Sequence, residues 1–165
     1  MSQKEQLSQQ DYVKKCKQAA AKGNVIAQNT LGYLYLNGQG IEQDYKAAVK
    51  WFRSAANEGY AAAQYNLAVM YKLGQGVEQS HPDSIKWMQA AANQSYVEAQ
   101  SNLGNMYYQG LAVMQDYTLA LMWWTLAEQG GVKDVEHNKT DIENKMTTAQ
   151  MQQTQQLVQQ WKTKH

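Results

Sequence analysis

A segment that returns at a fixed interval constrains the fold of this 165-residue chain more than any other feature. AQNTLGYLYLNGQG, which begins at Ala27, returns as AQYNLAVMYKLGQG at Ala63 and as AQSNLGNMYYQGLA at Ala99. A shift of thirty-six residues therefore aligns three copies of one unit without a gap. Repeats of about 20–50 residues are typical of stacked units, because one unit cannot bury a core alone. The chain is thus predicted to be a repeat array.

Two helices, called A and B, are predicted in each copy. Ala27, Leu31, Leu34 and Tyr35 fall on one arc at about 100° per residue, which marks the buried stripe of helix A. Helix B is predicted to follow a short polar residue that can cap a helix N-terminus. These predicted N-caps are Asp44, Ser80 and Asp116.

The segments NGQG and LGQG between helices A and B predict turns, because glycine readily adopts a positive φ. A glycine-rich loop that cradles phosphate would instead follow a strand and carry a longer spacing. The third copy reads QGLA, with Ala112 where Gly40 and Gly76 stand. We therefore expect the third loop to differ locally.

Composition and spacing both favour an all-α fold. The 44% hydrophobic content comes mostly from Ala, Leu, Tyr and Trp, with one Pro and one Phe. Isolated helices of three to four turns are marginal in water, so stacking has to stabilise them. Burial of one tryptophan removes about 150–250 Å² of side-chain surface from water. The three repeated tryptophans are therefore expected to fill the contacts between stacked helices. The predicted repeat core is Leu31, Leu67 and Leu103, Tyr35, Tyr71 and Tyr107, and Trp51, Trp87 and Trp123.

The first copy, AQNTLGYLYLNGQGIEQDYKAAVKWFRSAANEG, closely resembles the Sel1-like repeat, a relative of the tetratricopeptide repeat. That family's pattern is A-x-x-L-G-x-x-Y, then G-x-G-V-x-x-D-Y, then A-x-x-W-[FY]-x-x-A-A, and the resemblance covers about residues 20 to 130. It implies a right-handed α-α superhelix, or solenoid, of about three repeats that acts as a scaffold or adaptor for other proteins. With one cysteine, the chain resembles the cysteine-free branch of the family.

One α-solenoid domain over residues 1–165 is predicted, with helical caps at both ends. Residues 8–23 share the phase of a helix B, and MTTAQMQQTQQLVQQW predicts a closing helix with a capping box of Thr147 and Gln150. The predicted segments are an N-terminal capping helix (1–22), three repeats (23–58, 59–94 and 95–130) and C-terminal capping helices (131–165).

Net charge and hydropathy exclude several kinds of partner. A net charge of +1 gives no field that would steer the chain onto nucleic acid or an anionic membrane. No stretch approaches the roughly 20 apolar residues that span a bilayer, and MSQKEQLSQQ is too polar for a secretory leader. We therefore expect a soluble, cytoplasmic protein, or a periplasmic one if a leader has been removed.

Catalytic signals are absent from the sequence. His81, His137 and His165 are scattered, and neither HExxH nor GxSxG occurs. Cys16 has no second thiol for a disulfide or metal site, so it is expected to be a packing residue. No catalytic residue, metal or cofactor is expected, and the chain is predicted not to be an enzyme.

Helix A also carries positions that change between copies while the repeated positions persist. The family resemblance implies that helix A lines a concave surface, so these residues are predicted to form a binding groove with tyrosines as anchors, since tyrosine is common among interface residues that dominate affinity. The predicted partner-binding residues are Asn29, Tyr33, Leu36, Tyr65, Val69, Lys72, Ser101, Asn105 and Tyr108.

Three functions are consistent with this pattern. The leading hypothesis is a non-enzymatic scaffold or adaptor, monomeric, that binds a peptide or another protein on its concave helix-A face. A second is an immunity protein that neutralises a bacterial toxin or effector enzyme, a role known among related repeat proteins. A third, of another class, is a glycan-binding or enzymatic protein of the cell envelope.

Overall fold

The computed structural model describes residues 3–111, 113–133 and 135–165, with side chains from Ser8 onward in those ranges. Within these ranges there are nine α-helices and no strand, which confirms the all-α fold class. The helices are α1 (Gln3–Ala21), α2 (Val25–Asn37), α3 (Tyr45–Asn57), α4 (Ala61–Leu73), α5 (His81–Ala92), α6 (Val97–Gln109), α7 (Tyr117–Gln129), α8 (Glu136–Glu143) and α9 (Thr148–Lys164).

Two compact units meet in sequence between Ser84 and Ile85, inside α5. In the first unit α2 packs against both α1 and α3, and α3 packs against α4. In the second unit α7 packs against α6, α8 and α9. The single domain expected over residues 1–165 stays a prediction.

The two predicted helices are present in each copy, with α2, α4 and α6 as helix A and α3, α5 and α7 as helix B. Asp44 and Asp116 each cap helix B by accepting a hydrogen bond of 3.0 Å from the backbone N–H three residues later. Ser80 Oγ accepts one of 3.3 Å from the N–H of Asp83. A cap satisfies one of the N–H groups that a helix start leaves free, so the predicted starts of helix B are confirmed.

Glycines end helix A in the left-handed region, which confirms the predicted turns. Gly76 also has a positive φ of 71°, and a Cβ there would lie 2.3 Å from the carbonyl oxygen of Tyr45. Only glycine therefore allows this loop to lie against the start of α3. Ala112, where a different loop was expected, lies outside the described residues. The glycines that follow helix A, each with a φ of 66°, are Gly38, Gly74 and Gly110.

The most deeply buried repeat position of helix B lies one residue later in the sequence than the predicted tryptophan position. Trp51 and Trp87 are half-buried, and Trp123 is 6% exposed. Trp123 is therefore buried as predicted, but in all three copies the residue after the tryptophan, which differs in direction by about 100°, lies deeper in the core. The fully buried residues at that next position are Phe52, Met88 and Trp124.

On helix A the predicted core residues are buried to different degrees. The three leucines are fully buried, and the three tyrosines are half-buried. These residues are Leu31, Leu67 and Leu103, and Tyr35, Tyr71 and Tyr107. Helix A therefore places its leucines in the core and its repeated tyrosines at the edge of the core.

Close packing between helices A and B explains why the later residue is buried. A Cβ on Gly32 would lie 2.5 Å from Phe52 Cε1, and a Cβ on Gly104 would lie 2.2 Å from Trp124 Cδ1. Glycine on helix A thus makes room for an aromatic ring on helix B. The second copy has Ala68 and Met88 at the same two positions, both fully buried.

Helices at both ends have the features expected of caps. Val13 and Cys16 of α1 are buried in one cluster with Leu31, so Cys16 is a packing residue. Thr147 caps α9 with the predicted capping box: its Oγ1 accepts from the backbone N–H of Gln150, and its own backbone N–H donates to Gln150 Oε1. The exposed face of α9 is mostly glutamine.

Candidate binding surfaces

The repeated glutamine of helix A joins each copy to the helix before it. In all three copies its Nε2 donates a hydrogen bond, 3.2–3.3 Å long, to a carbonyl oxygen eight residues earlier, at the end of the preceding helix. These bonds are buried, and each adds a second donor to a carbonyl that also accepts a hydrogen bond from the backbone N–H three residues later. The donors are Gln28, Gln64 and Gln100, and the acceptors are Ala20, Ala56 and Ala92.

Tyr33 is the predicted anchor with the most exposed side chain, at 38%. Its hydroxyl donates to Asn66 Oδ1 at 2.9 Å, and its ring meets the edge of Phe52 with centroids 5.4 Å apart. Two separate contacts therefore hold the ring in one orientation while part of it faces solvent.

Asn29 was expected on the accessible face, and that expectation was wrong. Its side chain is 8% exposed, and its Oδ1 accepts a hydrogen bond of 3.0 Å from Asn66 Nδ2. The reason is that Asn66 of α4 lies against it, and a buried amide needs a partner. Asn29 therefore contributes to a polar contact between the two A helices of the first unit.

The other predicted residues of the first unit lie on α2 and α4 and are half-buried. Tyr65, Val69 and Lys72 have the i, i+4, i+7 spacing of one helix face, as do Asn29, Tyr33 and Leu36. Together with Tyr33, the half-buried residues form what we call the helix-A surface of the first unit. It consists of Tyr33, Leu36, Tyr65, Val69 and Lys72.

In the second unit, Ser101, Asn105 and Tyr108 are half-buried on α6. The Tyr108 hydroxyl donates to Asp141 Oδ2 at 2.8 Å, and its ring lies 5.4 Å from that of Trp124. Tyr108 thus links α6 to α8 and to the core. Its hydroxyl donates to a charged carboxylate, whereas the hydroxyl of Tyr33 donates to a neutral amide.

Asp141 and Lys145 form an ion pair beside Tyr108. Lys145 Nζ donates to Asp141 Oδ2 at 2.7 Å and lies 5.7 Å from the centroid of the Tyr108 ring. The hydrogen bonds from Lys145 and then from Tyr108 lower the pKa of Asp141 below its ordinary value. The bond to Asp141 raises the pKa of Lys145.

Two clefts at the A-to-B loops of the first unit are a candidate surface that the sequence analysis missed. The first cleft has a volume of about 710 Å³ and the second about 500 Å³. Six residues of the first cleft recur in the second after a shift of thirty-six residues. In order, they are Lys17, Tyr35, Ile41, Glu42, Gln43 and Asp44 in the first cleft, and Arg53, Tyr71, Val77, Glu78, Gln79 and Ser80 in the second.

Each cleft contains a cation that lies over a tyrosine ring. Lys17 Nζ is 5.8 Å from the centroid of Tyr35, and Arg53 Cζ is 5.9 Å from that of Tyr71. Arg53 Nη2 also donates to the Tyr71 hydroxyl at 3.0 Å. Cations within about 6 Å of a ring face are attracted by its quadrupole, so both side chains are held at the cleft.

The third copy keeps the tyrosine and loses the charges. Gln89 replaces the cation, and its Nε2 donates to the Tyr107 hydroxyl at 3.4 Å. Met114, 90% exposed, stands where the first two copies have Glu42 and Glu78. The same position of the fold is therefore charged in two copies and uncharged in the third.

Neither metal-binding nor membrane-spanning features stand out in the part of the chain that the structure describes. No three His, Cys, Asp or Glu side chains there come close enough to hold a metal ion. No helix among the described residues has both the length and the apolar character needed to cross a membrane. His81, His137 and His165 are all exposed.

Comparison with known proteins identifies the repeat. A family model described as the Sel1 repeat matches residues 25–60, 61–96 and 97–132. The search of curated proteins finds no significant match.

Among solved structures, a Sel1 repeat protein from Oxalobacter formigenes is 35% identical over 67% of this chain and 44% of its own, with a TM-score of 0.65. The c5321 protein of uropathogenic Escherichia coli, a protective antigen with an SLR fold, is 30% identical over 90% of this chain and 40% of its own, with a TM-score of 0.68. The chain thus spans less than half the length of either protein.

Proposed function

Because the chain belongs to the Sel1 repeat family, we propose that it is a non-enzymatic scaffold that binds a peptide or partner protein on its helix-A surfaces. Sel1 repeats generally mediate protein–protein interactions and generally lack enzymatic activity. Binding without catalysis is accordingly the role we assign to this chain.

Tyr33 is the residue that most strongly supports the helix-A surface of the first unit. Its ring is partly exposed and already held by Asn66 and Phe52. A side chain that is ordered before binding loses little rotamer entropy when a partner covers it. Tyrosine is also among the residues that most often dominate interface energies.

The rest of that surface offers contacts suited to a polypeptide. Leu36 and Val69 supply apolar area, Tyr65 supplies a second aromatic ring and Lys72 supplies a positive charge. In the second unit we propose that Ser101, Asn105 and Tyr108 make contacts with a partner, Ser101 and Asn105 through their polar groups.

Photo-crosslinking tests the location of the surface. A benzophenone side chain in place of Val69 is expected to crosslink the partner in the native cell, because Val69 lies at the centre of its helix face. The same replacement at Lys50, which is exposed on α3, is the matched control. Crosslinking from position 50 alone would locate the partner on another face and contradict the proposal.

Substitution of the anchors tests their contribution. The double variant Tyr33→Ser and Tyr65→Ser is expected to weaken binding to the crosslinked partner by about tenfold or more, the loss of one residue that dominates the interface. Tyr12→Ser, which alters an exposed tyrosine of α1, is expected to bind normally. Circular dichroism confirms folding in each case. Unchanged affinity in the folded double variant would refute the role of these tyrosines.

A further inference from the structure

We propose that the two loop clefts of the first unit bind an extended segment of a partner protein in which acidic and basic side chains alternate. The inference rests on the proposed function, because it concerns the same partner-binding role and adds a second contact surface, formed by loops instead of helix A. The observations that support it are the charges of the clefts, their order and their repetition.

The cations of the clefts are positioned before any ligand arrives. Arg53 is held by the face and the hydroxyl of Tyr71, and Lys17 by the face of Tyr35. Long flexible cations normally lose considerable rotamer entropy when they form an ion pair. Here the tyrosines have already restricted that freedom, so the net gain from an incoming carboxylate is larger.

The charges of the clefts are not neutralised by the protein. Within the side chains that the structure describes, the ion pairs are Lys139–Glu128 and Lys145–Asp141, both in the second unit. Lys17 and Arg53 therefore have no carboxylate partner there. Glu42 and Glu78, which are exposed, have no cationic partner among those side chains.

Each cleft thus combines groups of both signs: Lys17, Lys46, Glu42 and Asp44 line the first cleft, and Arg53, Glu78 and Asp83 line the second. A ligand that carries charges of only one sign would be attracted by the oppositely charged groups of a cleft and repelled by the others. A segment that carries both signs in alternation can pair with the cation and the carboxylate that recur in both clefts, because Lys17 and Glu42 of the first cleft are repeated in the same order as Arg53 and Glu78 of the second.

Contact between the loops favours a polypeptide over a small zwitterion. Gly76, in the loop that continues into the second cleft, also lines the first cleft. A Cβ at Gly76 would collide with the backbone of Tyr45, so this loop lies directly against the first cleft. The clefts adjoin, and an occupant of both has to be longer than a single amino acid.

Synthetic peptides of equal length provide the test. We would titrate an alternating Glu-Lys peptide, an all-Glu peptide, an all-Lys peptide and a Ser-Gly peptide into the isotopically labelled full chain and follow backbone amide shifts. The alternating peptide is expected to shift residues 41–44 and 77–80 most, with an effect that weakens as salt screens exposed charges. Equal or stronger binding of any other peptide, or no shift at either cleft, would overturn the inference.

Variants that imitate the third copy localise the effect. Arg53→Gln retains a donor for Tyr71 and removes the charge, and should weaken binding of the alternating peptide by about twofold to fivefold, the value of one exposed ion pair. Lys50→Gln removes a charge from the same helix outside the cleft and should leave binding almost unchanged. Equal losses in the two variants would show that only net charge matters and would refute a specific cleft.

A gain of binding is the converse test. Gln89→Arg combined with Met114→Glu gives the third copy the charges of the first two, and should add peptide-dependent shifts at residues 113–116. If the peptides shift neither cleft while Val69 still crosslinks a partner, this inference fails and the proposed function stands. If Val69 crosslinks nothing while the clefts bind, the helix-A proposal fails instead.

Discussion

The first repeat, α2–α3, and the third, α6–α7, share one frame and differ in what they present at the loop. In both, a loop glutamine donates to the carbonyl seven residues earlier at 2.7 Å, and an aspartate caps helix B at 3.0 Å. The loop of the first repeat adds Glu42 beside Lys17, whereas the third has Met114 and Gln89. Residues that form the turn are thus conserved between copies, and residues that face solvent are free to diverge.

The same two repeats also bury their tryptophans differently. Trp51 is half-buried in the first repeat, whereas Trp123 is 6% exposed in the third. The cause is the closing helix: Trp161 of α9 lies edge-on to Trp123, with ring centroids 6.3 Å apart. Burial at one repeat position therefore depends on the neighbouring helix as well as on the repeat itself.

Removal of a core ring should have the largest effect. Trp124→Ala is expected to lower the free energy of unfolding by about 3–5 kcal/mol, because it leaves a large cavity at a fully buried site. Trp51→Ala should cost less, about 0.5–3 kcal/mol, since part of that indole is already in water. Chemical denaturation measures both. A larger loss of unfolding free energy for Trp51→Ala than for Trp124→Ala would instead support the tryptophan position as the main core position of helix B.

Filling the glycine positions should have an intermediate effect. Gly104→Ala is expected to destabilise the chain by about 1–3 kcal/mol, because the new Cβ collides with a rigid buried indole. Gly32→Ala should cost less, since the approach to Phe52 is 0.3 Å less severe (2.5 against 2.2 Å).

The second copy suggests how the first of these variants could be rescued. Adding Trp124→Met to Gly104→Ala reproduces the Ala and Met of the second copy and should recover part of the loss. Thermal denaturation of the single and double variants makes the comparison. Additive destabilisation would show that the two positions do not act as a pair.

The loop glutamines should have a smaller and nearly equal effect in the two repeats. Gln43→Ala and Gln115→Ala each remove one hydrogen bond to the end of helix A, worth about 0.5–1.5 kcal/mol. Gln43→Ala also removes a longer, exposed hydrogen bond of 3.3 Å to the Tyr45 hydroxyl, so its loss should be slightly the larger. Urea denaturation, with Gln39→Ala as a control in the exposed part of the same loop, measures the difference. A large difference in stability loss between Gln43→Ala and Gln115→Ala would contradict the interpretation that the two loops share one hydrogen-bonded turn.

The ion pair of the second unit should have the smallest effect, and one that depends on pH. The pKa of Asp141 is lower in the folded chain, so its contribution is present above the unfolded-state value of 3.8 and disappears as the pH falls through the folded value. The raised pKa of Lys145 makes its contribution complete below 10.5 and lost as the pH rises through the folded value.

Asp141→Asn should therefore lower the denaturation midpoint slightly at neutral pH and leave it unchanged at strongly acidic pH. Glu42→Gln, at a carboxylate that has no ion pair with the side chains that the structure describes, is the matched control and should show no such dependence. A difference between wild type and Asp141→Asn that persists in strong acid would mean that the amide disturbs Tyr108 instead of removing a charge.

Most of the fold follows from the sequence because its signals are local. Helix starts at Asp44, Ser80 and Asp116 depend on one side chain and the next backbone turn, and the capping box of Thr147 spans four residues. The orientation of helix B was harder to predict from the sequence. Trp51 and Phe52 are both large and apolar, and the room that Gly32 leaves for the ring of Phe52 lies on the other helix.

The candidate surfaces were harder to predict because they depend on contacts between helices. Asn29 has the polarity of a surface residue, and its burial follows from a partner thirty-seven residues later. The clefts pair a cation of one helix with a tyrosine eighteen residues later in the next. One signal was present: positions 17 and 53 are both basic at the repeat interval, although neither belongs to the family pattern.

The buried glutamine bonds have an evolutionary consequence. Each copy contributes a donor through Gln28, Gln64 or Gln100 and ends in a carbonyl that the next copy can engage. A duplicated segment of thirty-six codons therefore brings its own attachment to the preceding copy and offers one to the following copy. Arrays of this kind can lengthen by tandem duplication without any compensating change elsewhere in the gene.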